Sequence, residues 1–200
     1  MDFSGKSVLV VGLARSGRAA IKVLKELGAK VTLSDLKVPD EDLGVEVRDQ
    51  SLAVAEGDYD LVVKNPGVHN DIPFMERLYE RGIPVITEIE LAFQVAKPQH
   101  FIAITGTNGK TTTSTLCYEI LNKAFPGRVH LCGNIGIPLC EIVMNEGLME
   151  REGDFIVGGA WWAAVYGVAQ SRTQLKRLCS SSSSSNFNPL SFSCSICALH

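Results

Sequence analysis

His100-Phe101-Ile102-Ala103-Ile104-Thr105-Gly106-Thr107-Asn108-Gly109-Lys110-Thr111-Thr112 reads as an apolar strand, a glycine-rich turn and the opening of a helix. A turn so placed aims its backbone N–H groups, and the positive end of the helix dipole, beyond the end of the strand, which suits an anion. Lys110 can neutralise charge on the β- and γ-phosphates of ATP, and the Thr111 hydroxyl can hold Mg²⁺. The residue five before Gly109 is Ile104, so the loop is G-x-x-G-K-T rather than the longer general spacing. With a strand before it and a helix after it, a chance glycine–lysine helix start is the weaker reading. The candidate ATP contacts are Gly106, Thr107, Asn108, Gly109, Lys110, Thr111 and Thr112; Lys110 and Thr111 are the catalytic candidates and Thr111 the metal ligand.

Upstream, the same strand–turn–helix grammar appears once more. Ser7–Leu13 is a β-branched apolar run, and Ala19, Ala20, Val23, Leu24 and Leu27 then recur at helical spacing until Gly28. Lys30–Ser34 and Tyr59–Lys64 read as strands, the first ending at Asp35 and the second in the turn Asn65-Pro66-Gly67. Pro73–Arg81 reads as helix, Ile83–Thr87 as strand and Glu88–Ala96 as helix, and this alternation implies a parallel sheet covered on both faces. Gly12-Leu13-Ala14-Arg15-Ser16-Gly17 is a G-x-A-x-x-G form of the dinucleotide fingerprint, with Asp35 placed to accept sugar hydroxyls. The same glycines would also suit a turn that binds nothing. Downstream of Lys97-Pro98, Arg128–Cys132 and Asp154–Val157 read as further strands and Pro138–Asn145 as a helix. The expected fold class is α/β: residues 1–97 a Rossmann-like domain, 98–157 a truncated P-loop-type α/β central domain, and 158–200 a low-complexity tail with little stable structure beyond Val168. The truncated second sheet should expose an apolar edge and favour aggregation.

A net charge of -3, with 46% hydrophobic and 20% charged residues, lacks the basic excess that nucleic-acid backbones require. The amino terminus has no apolar signal segment, so a cytoplasmic location is expected, and the apolar stretch Gly158–Ala169 is too short for a bilayer. Of six cysteines, Cys117, Cys132 and Cys140 lie in periodic apolar segments and read as buried thiols. Cys194 and Cys197 form a lone C-x-x-C, weak support for zinc. His69 and His100 stand singly and read as surface groups, and Glu88 and Glu90 read as a helix start rather than an acid/base pair.

The segment TGTNGKTTT after an apolar strand resembles the ATP loop of the Mur ligases and their folylpolyglutamate synthase relatives. The amino-terminal VLVVGLARSG, Asp35, Asn65-Pro66-Gly67, EIELAF at Glu88–Phe93 and Gly133-Asn134-Ile135-Gly136 are similar to the Mur branch that adds D-glutamate. The resemblance implies an ATP- and Mg²⁺-dependent, cytoplasmic, monomeric amide-forming ligase of peptidoglycan synthesis acting on UDP-N-acetylmuramoyl-L-alanine and D-glutamate. It implies Arg15 and Ser16 at the diphosphate, Asp35 near uracil or ribose, Gly67 in the wall and Asn134 contacting substrate across the domain interface. After a strand such as Asp154–Val157 the family continues Glu-x-Ser-Ser, with the glutamate on Mg²⁺; here the chain reads Gly158-Gly159-Ala160-Trp161-Trp162. Residues Gly159–Ser185 resemble a translated interspersed repeat of a mammalian genome, which implies a chimeric gene and an inactive ligase fragment. Two competing readings stay open: a dinucleotide-binding oxidoreductase module, which leaves the second loop unexplained, and a non-catalytic fusion product.

Overall fold

A computed structural model describes residues 2–37, 39, 42–97, 99–106, 108–133, 137–159 and 195–199. The chain divides into two compact units, Met1–Val95 with Pro138–Met144, and Ala96–Ile137 with Asn145–His200.

The first unit is built on β1 (Ser7–Val11), α1 (Arg15–Glu26), β2 (Lys30–Ser34), β3 (Glu46–Arg48), α2 (Leu52–Ala55), β4 (Leu61–Lys64), α3 (Pro73–Glu80), β5 (Val85–Thr87) and α4 (Glu88–Val95). Its five strands lie in the order β3-β2-β1-β4-β5, and every pairing is parallel. The chain winds outward from β1 to β3 and restarts beside β1 at β4, so the winding reverses between β1 and β4. Ligands of open α/β sheets bind at the carboxyl ends of the strands flanking such a reversal. Both faces are covered, as parallel sheets require. Leu9, Val11 and Val62 pack with Ala55, Phe74, Met75 and Leu78 of α2 and α3. On α1, Ala19, Ala20, Val23 and Leu24 of the stripe read from the sequence are buried together with Gly17 and Ile21, while Leu27 is half-buried. Burying a side chain such as Leu24 stabilises the fold by about 2 kcal/mol. Gly28, at φ 75°, ends this helix, with its N–H donating to Lys25 O and Ala29 N–H to Leu24 O, both at 3.0 Å.

Two elements lie outside the sequence reading. The edge strand β3 is Glu-Val-Arg and α2 a single turn, and neither is long enough to show an apolar period. The pairing Thr32↔Glu46 through Ser34↔Arg48 holds β3, so tertiary context supplies what the local pattern lacks. A further helix, α6 (Leu139–Asn145), follows the strands of the second unit's first half in sequence, yet Pro138–Met144 group with the first unit.

The second unit holds β6 (His100–Thr105), α5 (Lys110–Ala124), β7 (Val129–Gly133), β8 (Phe155–Gly159) and β9 (Ser195–Leu199), with strand order β7-β8-β6-β9. The first three strands are parallel and β9 is antiparallel to β6. Ile104, Val129 and Val157 form its core with Ile102, Cys117, Tyr118, Leu121, Leu131 and Phe155. The strand β9, five residues within the segment read as a tail, pairs with β6, so that the β6 edge is paired rather than open there. The physical reason is that an apolar run, Ser195-Ile196-Cys197-Ala198-Leu199, supplies partners for the edge N–H and C=O groups of β6. The serine run, Trp161, Trp162 and Cys194 lie outside the described residues. Among those described, no helix is long and apolar enough to cross a membrane. Cys132 and Cys140 are buried as expected, whereas Cys117 is only half-buried.

Candidate functional site

Two phosphate-type loops occur, one in each unit. In the first unit the β1–α1 loop begins at Gly12, whose φ of 93° suits glycine. A Cβ there would lie 2.9 Å from Asn65 Cβ and 3.0 Å from Val68 Cγ2, so the loop runs against the turn that follows β4. A Cβ on Gly17 would lie 2.1 Å from Gly12 O, so helix and loop approach closely there. Gly12 N–H donates to Ser34 O at 2.9 Å, fixing the loop to the end of β2. Ala14, the residue preceding α1, has an extended backbone and makes no side-chain cap, so the helix start keeps its donors for an external acceptor.

Asp35 does more locally than the sequence suggested. Its Oδ2 accepts the Leu13 N–H at 2.5 Å and its Oδ1 the Lys37 N–H at 3.0 Å. A carboxylate expected to meet a sugar therefore also staples the loop to the β2 end, with lone pairs left over on each oxygen. Arg15 is exposed and Ser16 half-buried at the amino end of α1. Across the winding reversal, Asn65 Oδ1 accepts the Gly67 N–H at 2.9 Å and Val68 N–H donates to Asn65 O at 3.0 Å, making the turn foreseen from Asn65-Pro66-Gly67. Asn65 Nδ2 is buried and has no hydrogen-bond partner among the described residues. Lys64 donates to Val68 O at 2.5 Å, and burial pushes its ammonium pKa below the usual lysine value. Neither Lys64 nor the buried Asn65 amide was legible as a site group, since each depends on what the turn folds against.

In the second unit, β6 delivers the chain into a loop with Gly106 at φ 149° and Gly109 at φ 75°. Gly109 precedes α5 in the left-handed conformation, with open space around the site of a Cβ, so backbone angle rather than crowding requires glycine. Thr113 N–H donates to Gly109 O at 2.9 Å, closing the first turn. The Lys110 ammonium folds back onto Gly106 O, bringing its charge over the loop. Thr111 and Thr112 are exposed at the helix start, and Asn108 is exposed in the loop. Thr107 and Asn134 lie outside the described residues. These groups fit the phosphates of a nucleotide: backbone donors, a helix amino terminus and a lysine converge on one loop. For Mg²⁺ the fit is incomplete. The strand β8 runs parallel beside β6 with Ile104 opposite Gly159, and Gly158 and Gly159 bring no carboxylate to that end. Among the described residues no group of three or more His, Cys, Asp or Glu side chains could hold a metal.

At the opposite end of β8 stands a cluster that the sequence did not reveal. Asp154 is fully buried and accepts from Arg128 Nε at 3.0 Å, His130 Nε2 at 2.8 Å and an Arg151 terminal nitrogen at 2.6 Å. Its own N–H donates to Gln99 Oε1 at 2.8 Å. Burial pushes this carboxyl up, but the bonds from His130, Arg128 and Arg151 outweigh it and hold the pKa below the usual aspartate value. The cluster joins the starts of β6, β7 and β8, away from the phosphate loop, and reads as structural. His100 stacks on Phe155 with centroids 4.8 Å apart, and His69 lies exposed 4.0 Å from Asp71.

Residues 104–148 match the Mur ligase middle domain. The chain is 45% identical over 150 residues to the UDP-N-acetylmuramoylalanine--D-glutamate ligase of Geobacillus kaustophilus (strain HTA426), covering 70% of this chain and 33% of that protein. It is 47% identical over 151 residues to the enzyme of the same name from Enterococcus hirae, again 70% and 33%. The chain thus spans about a third of the length of the curated relatives it matches. Among solved structures, the UDP-N-acetylmuramate:L-alanyl-gamma-D-glutamyl-meso-diaminopimelate ligase from Neisseria meningitides aligns with a TM-score of 0.48 at 21% identity, over 78% of this chain and 53% of that one. Residues 104–148, which hold the phosphate loop, thus match the Mur ligase middle domain within a stretch of 150 residues that is 45% identical to a D-glutamate ligase.

Proposed function

We propose that the chain carries the nucleotide-handling part of an ATP-dependent ligase that joins D-glutamate to UDP-N-acetylmuramoyl-L-alanine. The observation that carries this reading is the Gly106–Thr112 loop between β6 and α5, within a stretch 45% identical to D-glutamate ligases. In the proposed reaction the alanyl carboxylate takes the γ-phosphoryl group of ATP, releasing ADP. The amine of D-glutamate then displaces phosphate from the acyl phosphate and loses a proton as the amide forms. Lys110 and the loop N–H groups, Gly106 to Thr112, hold the phosphates and stabilise charge as it moves to the β–γ bridge. Thr111 would ligate Mg²⁺, which when bound screens the phosphates. Arg15, Ser16, Asp35 and Gly67 would hold the UDP moiety beside the β1–β4 reversal, and Asn134 would contact the same substrate. The same reading carries a cytoplasmic reaction by a monomeric chain, with no nucleic-acid or membrane partner.

As this sequence runs, Gly158-Gly159-Ala160 stands where the resemblance implies the glutamate that holds Mg²⁺, so binding without turnover is the expected state. The test is phosphate release from Mg-ATP in the presence of both substrates, alongside equilibrium binding of each. Binding of the muramoyl nucleotide and ATP with no release supports the reading; sustained release dependent on D-glutamate would overturn the inactivity. The oxidoreductase reading draws no support from a separate observation, since it leaves the Gly106–Thr112 loop without a role.

A further inference from the structure

The strand β4 ends on a charge. Leu61, Val62 and Val63 are buried, as a strand covered on both faces requires, but the next residue, Lys64, is a half-buried lysine. It pairs with Val11 on one side and Thr87 on the other, so it stands at the carboxyl end of the sheet, level with the residue before Gly12. Drawing an ammonium partly out of water is a cost that an apolar strand residue would avoid. What the ammonium does there is specific: its Nζ donates to Val68 O at 2.5 Å, across the turn that Lys64 introduces.

The near end of that turn is fixed by Asn65 N–H donating to Val11 O at 2.9 Å. Inside it, Val68 N–H donates to Asn65 O and Gly67 N–H to Asn65 Oδ1. Lys64 adds the bond that ties the far end back to the strand. Where that far end stands matters to the first glycine loop. A Cβ on Gly12 would fall 2.9 Å from Asn65 Cβ and 3.0 Å from Val68 Cγ2, so both ends of the turn press on Gly12. On its other side the loop is held to the end of β2, by Gly12 N–H to Ser34 O and Leu13 N–H to Asp35 Oδ2. The loop is therefore gripped from two strands, and on the β4 side the grip closes through a lysine ammonium.

We propose that Lys64 is a positioning residue for the muramoyl-nucleotide site: by tying Val68 O back to β4 it sets the place of the turn of residues 65–68 and, through Asn65 and Val68, of the Gly12 loop. Its action runs through the Val68 carbonyl rather than through a contact with substrate. The inference rests on the proposed UDP site at Arg15, Ser16, Asp35 and Gly67, and its test separates the two.

In the whole chain, amide hydrogen exchange and affinity for UDP-N-acetylmuramoyl-L-alanine are measured for wild type, Lys64→Met and Lys64→Arg. Lys64→Met keeps an apolar stem and removes the donor; Lys64→Arg keeps a cationic donor. The expected result in Lys64→Met is about tenfold faster exchange at Gly67 and Val68 and about tenfold weaker nucleotide binding, both restored in Lys64→Arg. Exchange at Leu9 and Val10 of β1, and ATP binding, should stay at wild-type values, because the opening is local. Unchanged exchange at the turn, or equal impairment in Lys64→Met and Lys64→Arg, overturns the brace. Faster turn exchange with wild-type affinity overturns the positioning role, and so does exchange that quickens as much in β1 as in the turn, which marks a general loss of stability. If Lys64→Met does not fold, Lys64→Gln takes its place, since its amide stops one bond short of the lysine nitrogen; wild-type exchange and affinity in Lys64→Gln overturn the proposal. Failure of the wild type to bind the nucleotide overturns the UDP-site reading and the positioning role with it, while turn exchange still decides whether Lys64 braces the turn.

Discussion

Replacing Gly17 with alanine puts one methyl group where the fold has no room. The added Cβ would stand 2.1 Å from Gly12 O, and real Cβ contacts stay beyond 3.0 Å, so loop and helix must separate by about 0.9 Å. The obstacle is a backbone oxygen, which cannot turn aside as a side chain would. Gly12 is held in turn by its N–H bond to Ser34 O and by contact with Asn65. Overpacking of this kind costs about 1–3 kcal/mol, and the rigid obstacle argues for the upper end. Alanine regains up to about 1 kcal/mol of helix propensity, leaving a net loss of about 2 kcal/mol. For a unit of this size that loss lowers Tm by roughly 8–16 °C. The assay is thermal unfolding followed by circular dichroism, with UDP-N-acetylmuramoyl-L-alanine affinity measured below the transition. Gly17→Ala should melt earlier and bind more weakly, because the displaced loop is the one proposed to hold the diphosphate. Stability within about 0.5 kcal/mol of wild type with unchanged affinity would refute the close-packing argument.

Further expectations follow from the same contacts. Asp154→Ala leaves Arg128, His130 and Arg151 without their shared acceptor; both arginines are about half exposed and can turn to water, so the loss in unfolding experiments should be about 3 kcal/mol, the low end for a broken buried pair. The pKa of Asp154 is depressed in the fold, so its stabilisation is complete above the unfolded aspartate value and is lost as pH falls through the folded one. Unfolding of Asp154→Asn should therefore lose acid dependence in that range. Glu88 has the opposite sign: burial raises its pKa against the bonds from Cys140, so its contribution is fullest below the unfolded glutamate value and is lost as pH rises through the folded one. Glu88→Gln should accordingly be at least as stable as wild type at pH 8, and a marked loss there would contradict the assigned direction. Lys110→Met should abolish ATP binding while leaving muramoyl-nucleotide affinity unchanged; a parallel loss of both would mean that the loop's lysine supports the fold rather than the phosphates.

Much of this was legible because local chemistry dictated it. The stripe Ala19, Ala20, Val23, Leu24 specified α1 and its buried face, and Gly28 its end. Both glycine loops could be placed from sequence because a strand, a φ-permissive residue and a helix start leave a recognisable order. The short elements β3 and α2 could not, since a three-residue edge strand rich in charge acquires its structure from β2. The Asp154 cluster was invisible for a related reason: its partners Arg128, His130 and Gln99 lie 26, 24 and 55 residues away. Glu88 read as a helix start and is one, yet its burial depends on Cys140, 52 residues on. Asp35 was read as a ligand group, and the structure adds the Leu13 N–H to its partners, a bond that only the folded loop brings within reach.

The most direct test of the central claim is calorimetric titration of the whole chain with UDP-N-acetylmuramoyl-L-alanine, and separately with NAD. Saturable binding of the muramoyl nucleotide, weakened by Arg15→Ala and Ser16→Ala and with no heat from NAD, is the result that the proposed function predicts. Binding of NAD with no response to the muramoyl nucleotide would contradict it and assign the Gly12–Gly17 loop to dinucleotide chemistry instead.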